Sequence, residues 1–297
     1  GATYDGRIWG VPYLSSSGKE LFYNERIFRE AGMQEPAAAW DELVDQSLKI
    51  QGAGLVEYAT IWSWIQKEAL TCDFVIINGS FGGKIFEDEK AVLNRPESVR
   101  ALQFMVDSIY KYGISDPASI TSDENVVNNA FLNESIAYKI NWGAGTGTLI
   151  QQSPIRANFK VGLIPGYNKG ISATTAGAHA LAITRTSPNK EAAIDYALLV
   201  GSEEVQKMFA LEGRIPTWTT LYDLPEIREK IPYMEEFGIQ LKYANVRPRL
   251  TWYSEFSAAL QEEVQNALIQ RKSPQKALDD LVKTLDRLIH RYGDVDG

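Results

Sequence analysis

Cysteine and histidine are almost missing from this sequence: Cys72, His179 and His290 are the whole supply in 297 residues. A single thiol excludes a disulfide framework within the chain and any cysteine-rich zinc site. Two histidines leave few ways to build a Ser-His-Asp triad, and no His-Glu-x-x-His or comparable spacing is present to hold a catalytic metal. His290 falls on the terminal helical stretch and reads as exposed, whereas His179 sits in a small apolar run and reads as packed interior. No apolar run approaches the roughly 20 residues needed to span a bilayer, and no signal-peptide pattern opens the chain. The formal net charge of −8 speaks against a general nucleic-acid or anionic-membrane surface. Paired carboxylates stay open as a chemistry, because 38 acidic residues supply many pairs whose distances a sequence does not give.

Against these absences stand seven Trp and 14 Tyr. Aromatic faces stack on the apolar faces of sugars, although most single indoles in a globular chain serve packing. The length is enough for one large or two medium cores. Asp5-Gly6 is a turn dipeptide, and a polar Ser15-Ser16-Ser17-Gly18 crossover separates Ile8, Trp9 and Val11 from a strand at Leu21-Phe22-Tyr23. Asn24 caps a helix that Gly32 stops. Further on, the pattern predicts a helix over 41–50, a strand in the aromatic segment 58–64, a short buried run at 74–77, and a loop at Asn78-Gly79 and Gly82-Gly83. Pro96 opens an amphipathic helix with Val99, Leu102, Met105, Val106 and Ile109 on one face.

Residues 128–132 continue helical, and strands follow at 136–140 and 159–164. Ser187 caps a helix with Pro188 at its first position, and Ser202 begins another that ends at Gly213. Two apolar stripes, from Phe256 to Leu268 and from Ala277 to Ile289, flank Ser273-Pro274. Strands alternating with helices predict an α/β fold. Gly143-Ala144-Gly145-Thr146-Gly147-Thr148 lacks the Gly-Lys-Ser/Thr ending of a phosphate loop; it reads either as a bend into a helix at Leu149 or as amides lining a cleft.

Several segments share a common likeness. Tyr4-Asp5-Gly6-Arg7-Ile8-Trp9-Gly10-Val11-Pro12-Tyr13, Tyr23-Asn24-Glu25, Ala31-Gly32-Met33 and Ala39-Trp40-Asp41-Glu42-Leu43 resemble the signature of bacterial extracellular solute-binding proteins of family 1. That family comprises the sugar-binding components of ABC importers, maltose-binding proteins among them. Ser187-Pro188-Asn189-Lys190-Glu191-Ala192-Ala193, Gly213-Arg214-Ile215-Pro216-Thr217, and Ser273-Pro274 with Ala277-Leu278 extend the resemblance over nearly the whole chain. Ala39 replaces the Thr usual before the Trp, so a capping hydroxyl is absent. The resemblance implies a two-lobed α/β periplasmic-binding-protein fold of type II, its lobes joined by crossing hinge strands and closing on a ligand. It places 14–176 and 227–297 in the second lobe, and 1–13 and 177–226 in a first lobe that is incomplete here. In the family the opening signature lies roughly a hundred residues into the mature protein, an ordinary size for a domain piece. An incomplete lobe is expected to expose apolar sheet faces.

The function this resemblance implies is non-enzymatic. The protein captures a mono- or oligosaccharide, needs no cofactor or metal, and delivers its ligand to the transmembrane permease subunits of an ABC importer as a periplasmic or surface-anchored monomer. Ser15, Ser17 and Glu20, at the hinge, would bond sugar hydroxyls. Trp62 and Trp64 share a face if their segment is extended. They join Trp218, in the loop after Ile215-Pro216-Thr217, and Trp252-Tyr253 with the nearby Arg249 as expected contacts. Trp142 and Gly143 stand where the family shows Asn-Gly-Pro-Trp, and the departure leaves the direction of Trp142 open. Trp9 and Trp40 read as packing residues. Two alternatives remain at this point: a glycoside hydrolase with paired carboxylates, and the same binding fold with a polyamine or phosphorylated polyol ligand.

Overall fold

Residues 2–4, 6–143, 153, 155, 158–245 and 247–293 are described in the computed structural model, the side chains of Tyr4 and Ser15, Ser16 and Ser17 excepted. A short hairpin of β1 (Thr3–Tyr4) and β2 (Arg7–Ile8) turns at Gly6, whose φ of +67° suits a residue without Cβ. It leads into β3 (Val11–Asn24), a 14-residue strand on which the rest is arranged. The serine-rich crossover expected at 15–18 lies inside this strand. Its backbone pairs antiparallel with β8 (Ala176–Leu181) through register shifts between Pro12 and Leu14 and between Ser15 and Ser17. Bulges of this kind let a strand bend without losing its ladder, so the polar run is absorbed rather than breaking the strand.

The second half of β3 lies between β6 (Tyr138–Trp142) and β7 (Phe159–Gly162), both antiparallel to it. Alternation along the strand divides the interior. Leu21 and Tyr23 enter one core, together with α1 (Glu25–Glu30), α2 (Trp40–Gly52), α3 (Glu68–Ser80), α4 (Pro96–Tyr110) and two C-terminal helices, while Phe22 enters another. That second core is built with Val127 and Phe131 of α5 (Glu124–Leu132), then Ile227 of α8 (Pro225–Lys230) and Phe237 of α9 (Met234–Leu241). Between β8 and α8 run α6 (Lys190–Val200) and α7 (Glu203–Leu211), and a small hairpin of β4 (Phe86–Glu87) and β5 (Lys90–Ala91) follows α3. The chain ends in α10 (Tyr253–Leu268) packed on α11 (Pro274–Tyr292). After β8 the chain exposes Ile183, Ile194, Tyr196, Leu198, Leu199 and Met208, of which the last five lie on helices α6 and α7 and not on a sheet face.

Several expectations change. The buried run and loop expected at 74–83 begin as one helix, α3, with Asn78-Gly79 inside it. Every position from Ala69 to Asn78 is buried, so no polar face betrays the helical period. Segment 58–64 is not a strand: Thr60 makes only isolated bridges, to Ser115 and Tyr138. Ser187 does not cap α6, which starts later, after Asn189; its hydroxyl instead accepts from the Asn189 amide at 3.3 Å in a turn. His179 and Trp9 are exposed rather than packed.

The expected cap of Asn24 is present, and Ser202 and Ser273 cap α7 and α11, the last accepting from the Lys276 amide at 3.3 Å. Ser273→Ala is therefore expected to cost about 1 kcal/mol, measured as a lower urea midpoint with an unchanged slope.

Candidate binding site

The face of β3 that carries Leu21 also carries Lys19, and the packing leaves it fully buried. A buried ammonium needs a partner. Asp73, one turn into α3, supplies an Oδ1 at 2.6 Å, and Ser63 accepts a longer bond from Lys19 at 3.3 Å while donating to Asp73 Oδ2 at 3.0 Å. Burial works to strip the Lys19 proton, but Asp73, with Cys72 and Glu124 beyond it, outweighs this and holds the amine above the ordinary lysine range. The strand is pinned at this point because Thr174 donates to the Lys19 carbonyl at 2.7 Å. Gly18 has to be glycine there, since a Cβ would strike the Thr174 side chain.

Directly across the ladder from Lys19 stands Trp142. Its half-buried indole donates to Glu124 Oε1 at 2.6 Å, and the Lys19 ammonium lies 5.6 Å from the ring centroid. Glu124 opens α5, where Asp123 caps the first turn, and its Oε1 is 3.9 Å from Lys19 Nζ. Asn141 ties the end of β6 to the same helix through the Glu124 carbonyl and Asn128, each at 3.1 Å. The indole is thus held by one side chain at its nitrogen and by a cation at its face.

A second cluster lies at the start of α3. Glu68 Oε1 accepts from Arg247 at 2.6 Å and from the Tyr253 hydroxyl, and Oε2 accepts from Ser257 at 2.6 Å. Burial and the bond to Glu68 push Tyr253 up, so it donates as a neutral phenol. The segment carrying Arg247 is seated by Asn245, whose amide fills the space where Gly79 of α3 has no side chain.

Cys72 sits one helical turn after Glu68, with its Sγ 4.0 Å from Glu68 Oε1, and directly before Asp73 on α3. Burial pushes its thiol from 9.0 to about 11, against the pull of Lys19 and Arg247. A thiol favoured in its protonated form contributes stability that is complete below pH 9.0 and is lost as the pH rises through about 11. The native protein at pH 8 is expected to leave an aromatic disulfide reagent almost unreacted, with stoichiometric release on adding urea. Fast labelling without urea would contradict this burial.

The residues singled out from the sequence divide by placement. Trp142, followed in the chain by buried Gly143, stands in the Lys19 cluster and Tyr253 in the Glu68 cluster, with Trp142 and Tyr253 partly exposed. Glu20 is buried on the opposite face of β3, where its Oε1 accepts from the Gly18 amide at 3.3 Å. Trp62 and Trp64 do stack on each other, at 5.1 Å and 14°, but both are in the core and offer no face to a ligand in this conformation. Trp252 is likewise buried, packed between Phe86 and Tyr292. Trp218 is exposed at the other end of the chain's path, donating to the Gly201 carbonyl, and Arg249 is exposed. The side chains of Ser15 and Ser17, and the glycine-rich run from Ala144 onward with the helix expected at Leu149, lie outside the described residues.

Lys19, Ser63, Glu68, Asp73 and Glu124 escape a sequence reading because 44 and 54 residues separate Lys19 from its first partners. One clue was present: Asp73 is the only charge inside an otherwise apolar stretch. Among the described residues no group of three His, Cys, Asp or Glu side chains could hold a metal, and no helix is long and apolar enough to cross a membrane.

Residues 1–234 match the family described as bacterial extracellular solute-binding protein. The chain belongs to that family. This solute-binding protein is 32% identical to maltose-bound MalE3 of T. maritima, with a TM-score of 0.91 over 97% of its own length and 74% of the other's. The two-lobed α/β fold expected from the sequence is the fold of these neighbours. Among curated relatives, it is 23% identical to a probable amino-acid ABC transporter periplasmic-binding protein of Sinorhizobium fredii. It is 26% identical to the sn-glycerol-3-phosphate-binding periplasmic protein UgpB of Salmonella typhimurium. Each match takes in 97% of this solute-binding protein but only 66% and 68% of the relatives' own lengths, so the chain spans about two thirds of what it resembles.

Proposed function

We propose that this solute-binding protein is the carbohydrate-binding component of an ABC importer. It captures a mono- or oligosaccharide between two lobes, 14–176 with 227–297 and 1–13 with 177–226, and presents it to a membrane permease outside the cytoplasmic membrane. It acts as a monomer and does no chemistry on the sugar. The observation that carries this reading is Trp142: an indole clamped at its nitrogen by Glu124, with Lys19 at its face, and partly open. A fixed aromatic face with a carboxylate at its edge matches a pyranose, which has an apolar face and a ring of hydroxyls that both donate and accept. The likeness to a maltose-bound protein supports the same ligand class. Closure bends β3 and β8 where their bulges already interrupt the register, between Pro12 and Ser17.

Titration calorimetry of the chain with maltose and maltotriose, followed by chromatography of the recovered sugar, tests this. Saturable heat with the sugar intact is the expected result. Release of glucose would establish a hydrolase instead, and saturable binding of a polyamine with none of either sugar would move the ligand class.

A further inference from the structure

Three donors from two separate stretches converge on one carboxylate. Arg247 and Tyr253 donate to Glu68 Oε1, and Ser257 donates to Glu68 Oε2. Ser257 is itself held by Thr71 at 2.8 Å and by Gln261 at 2.8 Å, so the cluster is braced from behind. A guanidinium with two hydroxyls is a common way to hold a bound carboxylate or phosphate. In this protein the anion comes from its own chain. Arg247 and Glu68 are both partly exposed, with 28% and 43% of their side chains open, so the cluster borders solvent rather than lying sealed in a core.

We propose that Glu68 is a specificity-determining residue: its carboxylate occupies, as a built-in anion, the place that a ligand phosphate or carboxylate would otherwise take, and so restricts the site to uncharged ligands. This rests on the reading of the wall around Trp142 as the ligand site. The other cation of that wall is closed in the same way, since Lys19 is paired with Asp73 at 2.6 Å. An incoming phosphate therefore meets the part-open carboxylates of Glu68 and Glu124, and like charges repel. A neutral sugar suffers no such repulsion and finds acceptors for its hydroxyls. Both ligand classes occur among the proteins this chain resembles, one named a glycerol-phosphate binder and one solved with maltose bound.

The test is a gain of function. Glu68→Ser removes the carboxylate, vacates its place and leaves Arg247, Tyr253 and Ser257 as donors. Calorimetry with inorganic phosphate and with sn-glycerol 3-phosphate is expected to show no saturable binding to the wild type. On Glu68→Ser, affinity should rise on the order of tenfold or more, the usual scale for one charge-assisted contact. Adding Arg247→Gln should abolish the gain. Glu68→Ala provides a second variant should the serine fail to fold, with circular dichroism and the thermal midpoint read for each. The proposal is overturned if the wild type binds either anion as tightly as the variants do, if the gain survives without Arg247, or if no folded Glu68 variant gains anion binding. Maltose titration of the wild type reads the sugar assignment separately: no sugar binding alongside a phosphate gain would end the sugar reading and leave the role of Glu68 standing.

Discussion

Asp73→Ala is expected to lower the free energy of unfolding by about 3–5 kcal/mol, the usual cost of removing one partner from a buried ion pair. Lys19 is fully buried, and Asp73 provides its closest anionic contact, at 2.6 Å. Without Asp73 the ammonium keeps the more distant Glu124 oxygen at 3.9 Å, the Ser63 hydroxyl at 3.3 Å and the Trp142 ring at 5.6 Å. The damage comes from the unpaired charge that stays in the core, more than from the absence of one hydrogen bond. Replacing both partners, Lys19→Met with Asp73→Leu, is therefore expected to recover most of the stability that either single change removes. Urea unfolding followed by tryptophan fluorescence measures all of these. A double variant as unstable as the sum of the singles would show that the surrounding shape, and not the charge, sets the cost.

Trp142→Ala is expected to weaken sugar binding by about 2 kcal/mol, roughly thirtyfold in Kd, the size of loss found for a central aromatic contact. The partly exposed indole rests against Glu124 and Lys19, so its removal takes away a surface rather than core support. Trp142→Phe keeps a ring but cannot donate to Glu124, and should fall between the wild type and the alanine variant. Calorimetry with maltotriose, with the thermal midpoint read in parallel, separates affinity from folding. Equal affinities for wild type and Trp142→Ala would remove this residue from the ligand.

Much of the fold was legible in the sequence where an element has two unlike faces. The α4 stripe of Leu102, Met105, Val106 and Ile109 is buried as its spacing demands, and Ser273-Pro274 marks the start of α11. Legibility failed where an element has no polar face. Helix α3 is buried on all sides, so its core looked like a short run followed by a loop. It failed again where the partner lies far off in sequence: the serines of β3 belong to a strand because β8, some 160 residues away, supplies their backbone partners (Ser15 opposite Ala178). Aromatic residues showed the same limit. Trp62 and Trp142 look alike in sequence, yet Trp62 donates to Ser115 inside the core and Trp142 to Glu124 at the edge of the sheet. What separates them is tertiary: the Trp142 ring is set by the strand pairing that brings it opposite Lys19.

The proposed function puts the wall around Trp142 at the centre of ligand capture, and hydrogen exchange of the chain with and without maltose tests that proposal most directly. Added sugar should slow exchange in the backbone of 17–20, the first turn of α3, the end of β6 at Asn141 and Trp142, and 247–253, with little change in α4 and α11. Protection confined to other segments, or none at saturating maltose, would contradict it.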